Sequence, residues 1–168
     1  MGPLAGFTDS IFRKICRDEG AAFVVTEMVS AEGTLRSSGK TFELAQFDEG
    51  ERPIFIQLFG AEPDRVAEAA RRLLRLRPDG FDLNFGCPMP KIVKSGAGAA
   101  LLRDLPRLEQ MARAVVQAVP VPVTAKIRSG WSPKEIVAIE AARRLEGAGV
   151  AAITLHARTR EQRFSGKA

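Results

Sequence analysis

Short apolar runs alternate with longer amphipathic stretches along the whole chain, and that rhythm restricts the fold more than any other feature. The runs at residues 2–5, 23–27, 54–59, 80–84, 121–127 and 151–156 have the length and composition of strands. Between them, residues 10–19 carry Ile11, Phe12 and Ile15 at helical spacing. Residues 63–76 begin with proline and place Val66, Ala69, Ala70, Leu73 and Leu74 on one face. Residues 105–118 and 133–146 repeat the pattern. Ser132, Pro133 and Glu135 read as a capping box with proline at the first helical position, and Gly147 and Gly149 as the stop. The polar connection at residues 30–52 is expected to be a loop with some helix near the active face. Strands separated by helices predict parallel pairing with right-handed crossovers.

Two α/β architectures meet that description, the doubly wound open sheet and the (β/α)8 TIM barrel. Polar residues decide between them. Gln57, Asn84, Lys126 and His156 each fall at or near the C-terminal end of a different strand. Thr124, Lys126 and Arg128 share one side of their strand, with Val123, Ala125 and Ile127 on the other. Thr154, His156 and Arg158 repeat the alternation. Barrels draw active-site groups from many strand ends, whereas open sheets gather them at one switch point, usually after a glycine-rich first turn. Gly6-Phe7-Thr8-Asp9 is not such a turn, so the barrel is favoured. A barrel needs about 250 residues, and this chain has 168. About six of eight βα units are therefore expected, with the barrel truncated at its C-terminal side.

No stretch approaches the roughly 18 apolar residues of a membrane span, and no basic-then-apolar leader is visible, so a cytoplasmic protein without membrane contact is expected. The net charge of +5 suits a polyanionic partner such as RNA and equally suits a solvated basic surface. The five arginines Arg65, Arg71, Arg72, Arg75 and Arg77 read as a solvated outer helix face. Cys16, Cys87 and a single histidine are too few for a structural zinc site, so no metal is expected. Cys16 lies in an apolar helical pattern and reads as a small core residue. No feature points to a protein partner.

Cys87 has different surroundings. A strand ends at Asn84, and Gly86 and Pro88 then bracket the cysteine, fixing its side chain at the barrel mouth. Nucleophile, acid and inert thiol in a tight loop are all open to such a residue. The acid role needs least help, because a thiol of pKa about 8.5 is mostly protonated at neutral pH.

The residues around Cys87 also carry a resemblance. Asn84-Phe85-Gly86-Cys87-Pro88 with Lys91, followed by Lys94-Ser95-Gly96-Ala97-Gly98, closely resembles the signature of tRNA-dihydrouridine synthases. Pro3-Leu4-Ala5-Gly6, Thr26-Glu27-Met28, Gln57-Leu58-Phe59-Gly60, Lys126-Ile127-Arg128 and His156-Ala157-Arg158 are similar to further family segments, in order and at family-like spacing. Phe85 and Ala157 differ from many relatives without removing a chemical group.

The resemblance implies an FMN-binding barrel, NADPH as reductant and a uridine of tRNA as substrate. The flavin delivers hydride to C6, and a cysteine protonates C5. Carried over, Cys87 is the proton donor. Pro3, Leu4, Ala5, Gln57, Lys126 and His156 bind the flavin. Asn84, Lys91 and Arg128 bind the substrate. The seventh and eighth strands of a barrel commonly supply its phosphate-binding loops, so the isolated 168 residues are expected to hold FMN weakly, and the C-terminal helical tRNA-binding domain that the resemblance implies is expected to be absent. Alternative roles stay open at several positions: a salt bridge of Lys126 to Asp82 or Glu27, a turn-stabilising Asn84, structural hydrogen bonds for His156, a supporting Arg128 that does not touch the ligand, and a merely solvated loop around Lys91. The rival readings are another FMN barrel acting on a small molecule, such as a dihydroorotate dehydrogenase or ene-reductase, and a non-catalytic RNA-binding remnant.

Overall fold

The computed structural model describes residues 2–168. Its strands form one parallel sheet curling into a half-barrel, an incomplete TIM barrel. They are β1 (Val24–Val25), β2 (Val29–Ser30), β3 (Ile54–Phe59), β4 (Gly80–Phe85), β5 (Val123–Arg128) and β6 (Ala152–His156). The order is β1-β3-β4-β5-β6, with β2 also pairing with β3. The helices are α1 (Ser10–Asp18), α2 (Ala31–Leu35), α3 (Gly39–Ala45), α4 (Pro63–Leu73), α5 (Pro90–Lys94), α6 (Leu105–Ala118) and α7 (Ala138–Gly147).

Alternation along each strand divides the core from the site. Ile54, Ile56 and Leu58 of β3, Phe81, Leu83 and Phe85 of β4, and Val123, Ala125 and Ile127 of β5 are buried. Most of them pack in one cluster with Val66, Ala70 and Leu73 of α4, Leu108, Met111 and Val115 of α6, and Leu145 of α7. Each buried side chain of that size contributes about 1.5–3 kcal/mol. The alternate positions between them face the concave side in rows. Gln57, Asp82 and Thr124 lie level across three strands, as do Asn84, Lys126 and Thr154, and Arg128 lies level with His156.

Four local expectations change. Residues 2–5 form no strand; the chain turns there, with the Phe7 and Thr8 backbone N–H groups donating to the Leu4 carbonyl. The capping box is not a helix start either. Residues 131–135 form a tight turn, Gly130 bridges to Ile136, and α7 begins five residues after Pro133, at Ala138. A Cβ at Gly130 would lie 1.9 Å from the Glu135 carbonyl oxygen. That close approach excludes any other residue there, and it overrides the capping signal.

Helix α1 also reverses its expected polarity. Ile11 and Ile15 are more than half exposed, Cys16 is half-buried, and the buried residue of the helix is Arg13. Arg13 donates to Glu51, 2.5 Å away and itself buried, and to the carbonyls of Thr8 and Gln46. Residues 30–52 are more helical than expected, with α2, α3 and a 3-10 turn at Glu49–Glu51. The arginines of α4 do lie outside: Arg65 pairs with Glu32, and Arg71 and Arg72 with Glu68. Among the described residues, no helix is long and apolar enough to cross a membrane.

Candidate active site

The concave rows converge at the C-terminal end of β4. Asp82 is buried beneath the floor, its Oδ1 accepting from the Thr124 hydroxyl at 2.6 Å and its Oδ2 from Gln57 Nε2 at 2.6 Å. Gln57 Oε1 accepts from Asn84 Nδ2 at 2.9 Å. Asn84 Oδ1 accepts from the backbone N–H groups of Gly86 and Cys87, at 3.2 and 2.9 Å. Asn84 thus performs the turn-stabilising role directly. Its side chain folds the loop that carries Cys87 back over the strand end.

Arg128 secures that loop from the next strand. Its Nε donates to the Gly86 carbonyl at 2.8 Å, and its Nη1 donates to the carbonyls of Thr159 and Arg163. One buried guanidinium therefore ties the Cys87 loop to the loop after β6. All these contacts are intramolecular, so Arg128 is a support of the site whatever it does for substrate.

Cys87 is partly exposed and is not disulfide-bonded. Burial pushes its thiol above the ordinary value, while a Met89 backbone hydrogen bond and the Arg128 charge pull the other way without cancelling it. A thiol held neutral is a proton donor rather than a nucleophile, which favours the acid among the three roles.

Lys126 points into the same face. It forms no ion pair within 4.0 Å among the described residues, so the salt bridges to Asp82 and Glu27 are not made. The Glu27 carboxylate instead accepts from the Gly6 N–H at 2.8 Å. Burial depresses the lysine, Arg128 depresses it further, and the Asp82 charge opposes both. His156 Nε2 lies 3.3 Å from Arg158 Nη1. Its ring is likewise depressed, first by burial and then by the charges of Arg128, Lys126 and Arg158. A half-buried ammonium without an ion pair among the described residues, beside an imidazole pushed toward its neutral form and two guanidiniums, is suited to an anionic ligand. Leu4 and Ala5 are exposed and Pro3 partly so, leaving that segment open to contact. A Cβ at Gly2 would reach to 3.8 Å from Lys126 Cε, which brings the first residues beside the lysine. Lys91 stands exposed on α5, after the cysteine. Among the described residues, no three His, Cys, Asp or Glu side chains group as a metal site.

The model of the family described as dihydrouridine synthase (Dus) matches residues 1–168. The chain belongs to the dihydrouridine synthase family. It is 42% identical over 172 residues to a probable tRNA-dihydrouridine synthase of Aquifex aeolicus, covering 100% of this chain and 54% of that protein. A probable tRNA-dihydrouridine synthase of Treponema pallidum is 44% identical over 174 residues, covering 100% and 51%. The tRNA-dihydrouridine synthase B of Pseudomonas aeruginosa is 40% identical over 168 residues, with 100% and 51% covered. The chain spans about half the length of the curated relatives it matches.

In this member of the dihydrouridine synthase family, the structure adds three residues to those found in the sequence. Asp82 and Thr124 complete the hydrogen-bonded floor, and Gly98 supports the cysteine. The i, i+2 alternation of Asp82 with Asn84 and of Thr124 with Lys126 was the available signal for the first two. Gly98 has φ +61°, and a Cβ there would lie 2.9 Å from the Cys87 carbonyl oxygen and 3.1 Å from Cys87 Cβ. Gly98→Ala is expected to lower stability by about 1–3 kcal/mol and to displace the cysteine. Urea denaturation together with Cys87 alkylation measures both effects. An alanine variant with wild-type values would mean that the cysteine does not rest on this glycine.

Proposed function

We propose that this chain carries the catalytic barrel of an enzyme that reduces uridine in tRNA to 5,6-dihydrouridine, using FMN and NADPH. The observation that carries the reading is geometric: the Cys87 loop follows the end of β4, where Asn84 lies level with Lys126, an ammonium that forms no ion pair within 4.0 Å among the described residues. The family membership and the printed names of the relatives support the same activity.

FMN, when bound, supplies hydride for C6 of the uracil ring, and NADPH replenishes it. Lys126 would hold the anionic side of the flavin, and Pro3, Leu4 and Ala5 would pack against its apolar surface. His156 adds a polar contact. Gln57 offers its second Nε2 hydrogen and the second lone pair of Oε1, since the first of each is already engaged. Cys87 Sγ would give its proton to C5, which together with the hydride at C6 saturates the double bond. Asn84, Arg128 and Lys91 form the substrate side. Asn84 and Arg128 fix the loop over which the base sits, and Lys91 meets the phosphate backbone.

Lys126→Met is expected to weaken FMN binding in the full-length protein about ten- to a hundredfold, the range for a hydrogen bond to a charged group. Because burial lowers this lysine, FMN affinity should also fall at a lower alkaline pH than an ordinary lysine would give. Flavin fluorescence titration measures both. Unchanged affinity would remove Lys126 from the flavin site. The reading as a whole is tested by incubating the full-length protein with NADPH and either unmodified tRNA or small enones. Dihydrouridine formed in tRNA supports it, and turnover confined to the enones would favour a small-molecule FMN barrel.

A further inference from the structure

We infer that Asp82 is a positioning residue for Cys87, acting through a directional chain of hydrogen bonds that runs from Thr124 and Asp82 through Gln57 and Asn84 to the cysteine loop. The functional weight of this chain rests on Cys87 being the proton donor; its geometry does not.

Side-chain amides are nearly symmetrical in shape but opposite in polarity at their two ends. Something must therefore decide which way Gln57 and Asn84 face. At one end stands Asp82, whose carboxyl pKa burial pushes up; ionised it only accepts, and protonated at Oδ1 toward the Thr124 hydroxyl it still accepts at Oδ2. Asp82 Oδ2 therefore accepts from Gln57 Nε2, at 2.6 Å. Gln57 is then left with Oε1 toward Asn84, which answers with Nδ2 at 2.9 Å. Asn84 is left with Oδ1 toward the loop, where the Gly86 and Cys87 N–H groups can only donate. The two ends, a carboxylate and a pair of backbone N–H groups, dictate the same polarity. Thr124 fixes the other carboxylate oxygen at 2.6 Å, and a bond from the Gln57 backbone N–H to the Thr26 hydroxyl at 3.1 Å fixes the stem of the amide. Either protonation state of Asp82 still leaves an oxygen for the Gln57 amide. Gln57 is buried, so water cannot substitute for a lost link.

The test reverses the chain rather than merely cutting it. Asn84→Asp in the full-length protein sets a carboxylate against Gln57 Oε1 and breaks the chain. Adding Asp82→Asn rebuilds it with opposite polarity. The new amide at position 82 donates to Gln57 Oε1, and Gln57 Nε2 donates to the new carboxylate at position 84. That carboxylate still accepts from both loop N–H groups, and the Thr124 hydroxyl still finds an acceptor at position 82. The readout is the rate of alkylation by iodoacetamide, resolved by mass spectrometry so that Cys16 serves as internal reference.

Asn84→Asp is expected to raise the Cys87 rate per thiolate, read from the alkaline plateau of the pH profile so that the pKa rise caused by the new carboxylate does not enter, about fivefold with Cys16 unchanged, the loss of one net hydrogen bond. The double variant is expected within about twofold of wild type, with that bond restored. A single variant with unchanged Cys87 reactivity, or a double variant no better than the single, would overturn the chain. If the single variant does not fold, a folded double variant with normal alkylation supports it, and a double variant equally unfolded overturns it. Turnover is not the readout, so a Cys87→Ala enzyme with full activity would refute the proton donor and leave this inference standing.

Discussion

Cys87→Ala is expected to lower the rate of dihydrouridine formation by about 10²–10⁴, the contribution of a positioned general acid, while FMN stays bound. None of the groups assigned to the flavin depends on the thiol, whereas C5 has no other assigned proton source. The measurement is dihydrouridine content of tRNA by mass spectrometry under single turnover, with flavin absorbance recorded on the same samples. Unchanged turnover would remove Cys87 from the role. The pH dependence has a definite sign. The donor is the protonated thiol, present below its pKa and lost above it. Burial raises that pKa above the ordinary thiol value, so the Cys87-dependent rate should be flat through neutrality and fall only on the far alkaline side. A fall beginning near neutrality would contradict the neutral-thiol geometry.

The second large effect is structural. Glu51→Ala is expected to destabilise the protein by about 3–5 kcal/mol, the cost of leaving one member of a buried ion pair alone. Glu51 is fully buried and accepts from Arg13 Nε at 2.5 Å, Ser10 Oγ at 2.5 Å and the Asp48 N–H at 3.0 Å. Its removal strands a guanidinium that is itself 3% exposed. Replacing both partners together, Arg13→Met with Glu51→Leu, should cost less than either single change, because no buried charge is then left unpaired. Urea midpoints for the four proteins give the comparison. Additive losses would show that the two residues act independently, contrary to the structure.

That ion pair also marks the limit of what the sequence discloses. Helix α6 was legible to the residue, since proline at its start and apolar spacing are local signals. The cores of β3, β4 and β5 were legible for the same reason. Arg13 and Glu51 are 38 residues apart, and no local pattern shows that a helix will bury its arginine and expose its isoleucines. Residues 2–5 have strand composition but no strand pairing, and pairing is what makes a strand. Ser132 and Pro133 carried an honest helix-start signal that the close contact of Gly130 with Glu135 overrides. Within the site, Cys87, Asn84 and Lys126 were visible as polar residues at strand ends. The link from Asp82 to Gln57 was not, because it crosses between strands 25 residues apart.

The register of β4 against β5 has a consequence for assembly. Asp82 faces Thr124 and Asn84 faces Lys126, while Leu83 and Phe85 meet Ala125 and Ile127 on the opposite side. Sliding one strand by a single residue would exchange those faces. It would drive Lys126 and Arg128 into the greasy layer under α6, at several kcal/mol for each unpaired charge. Whole domains are held by only about 5–15 kcal/mol, so the slipped sheet would not survive. The polar residues at the strand ends therefore serve as alignment keys. A chain that mates wrongly loses its fold together with its chemistry, leaving no stable population of misassembled, partly competent molecules.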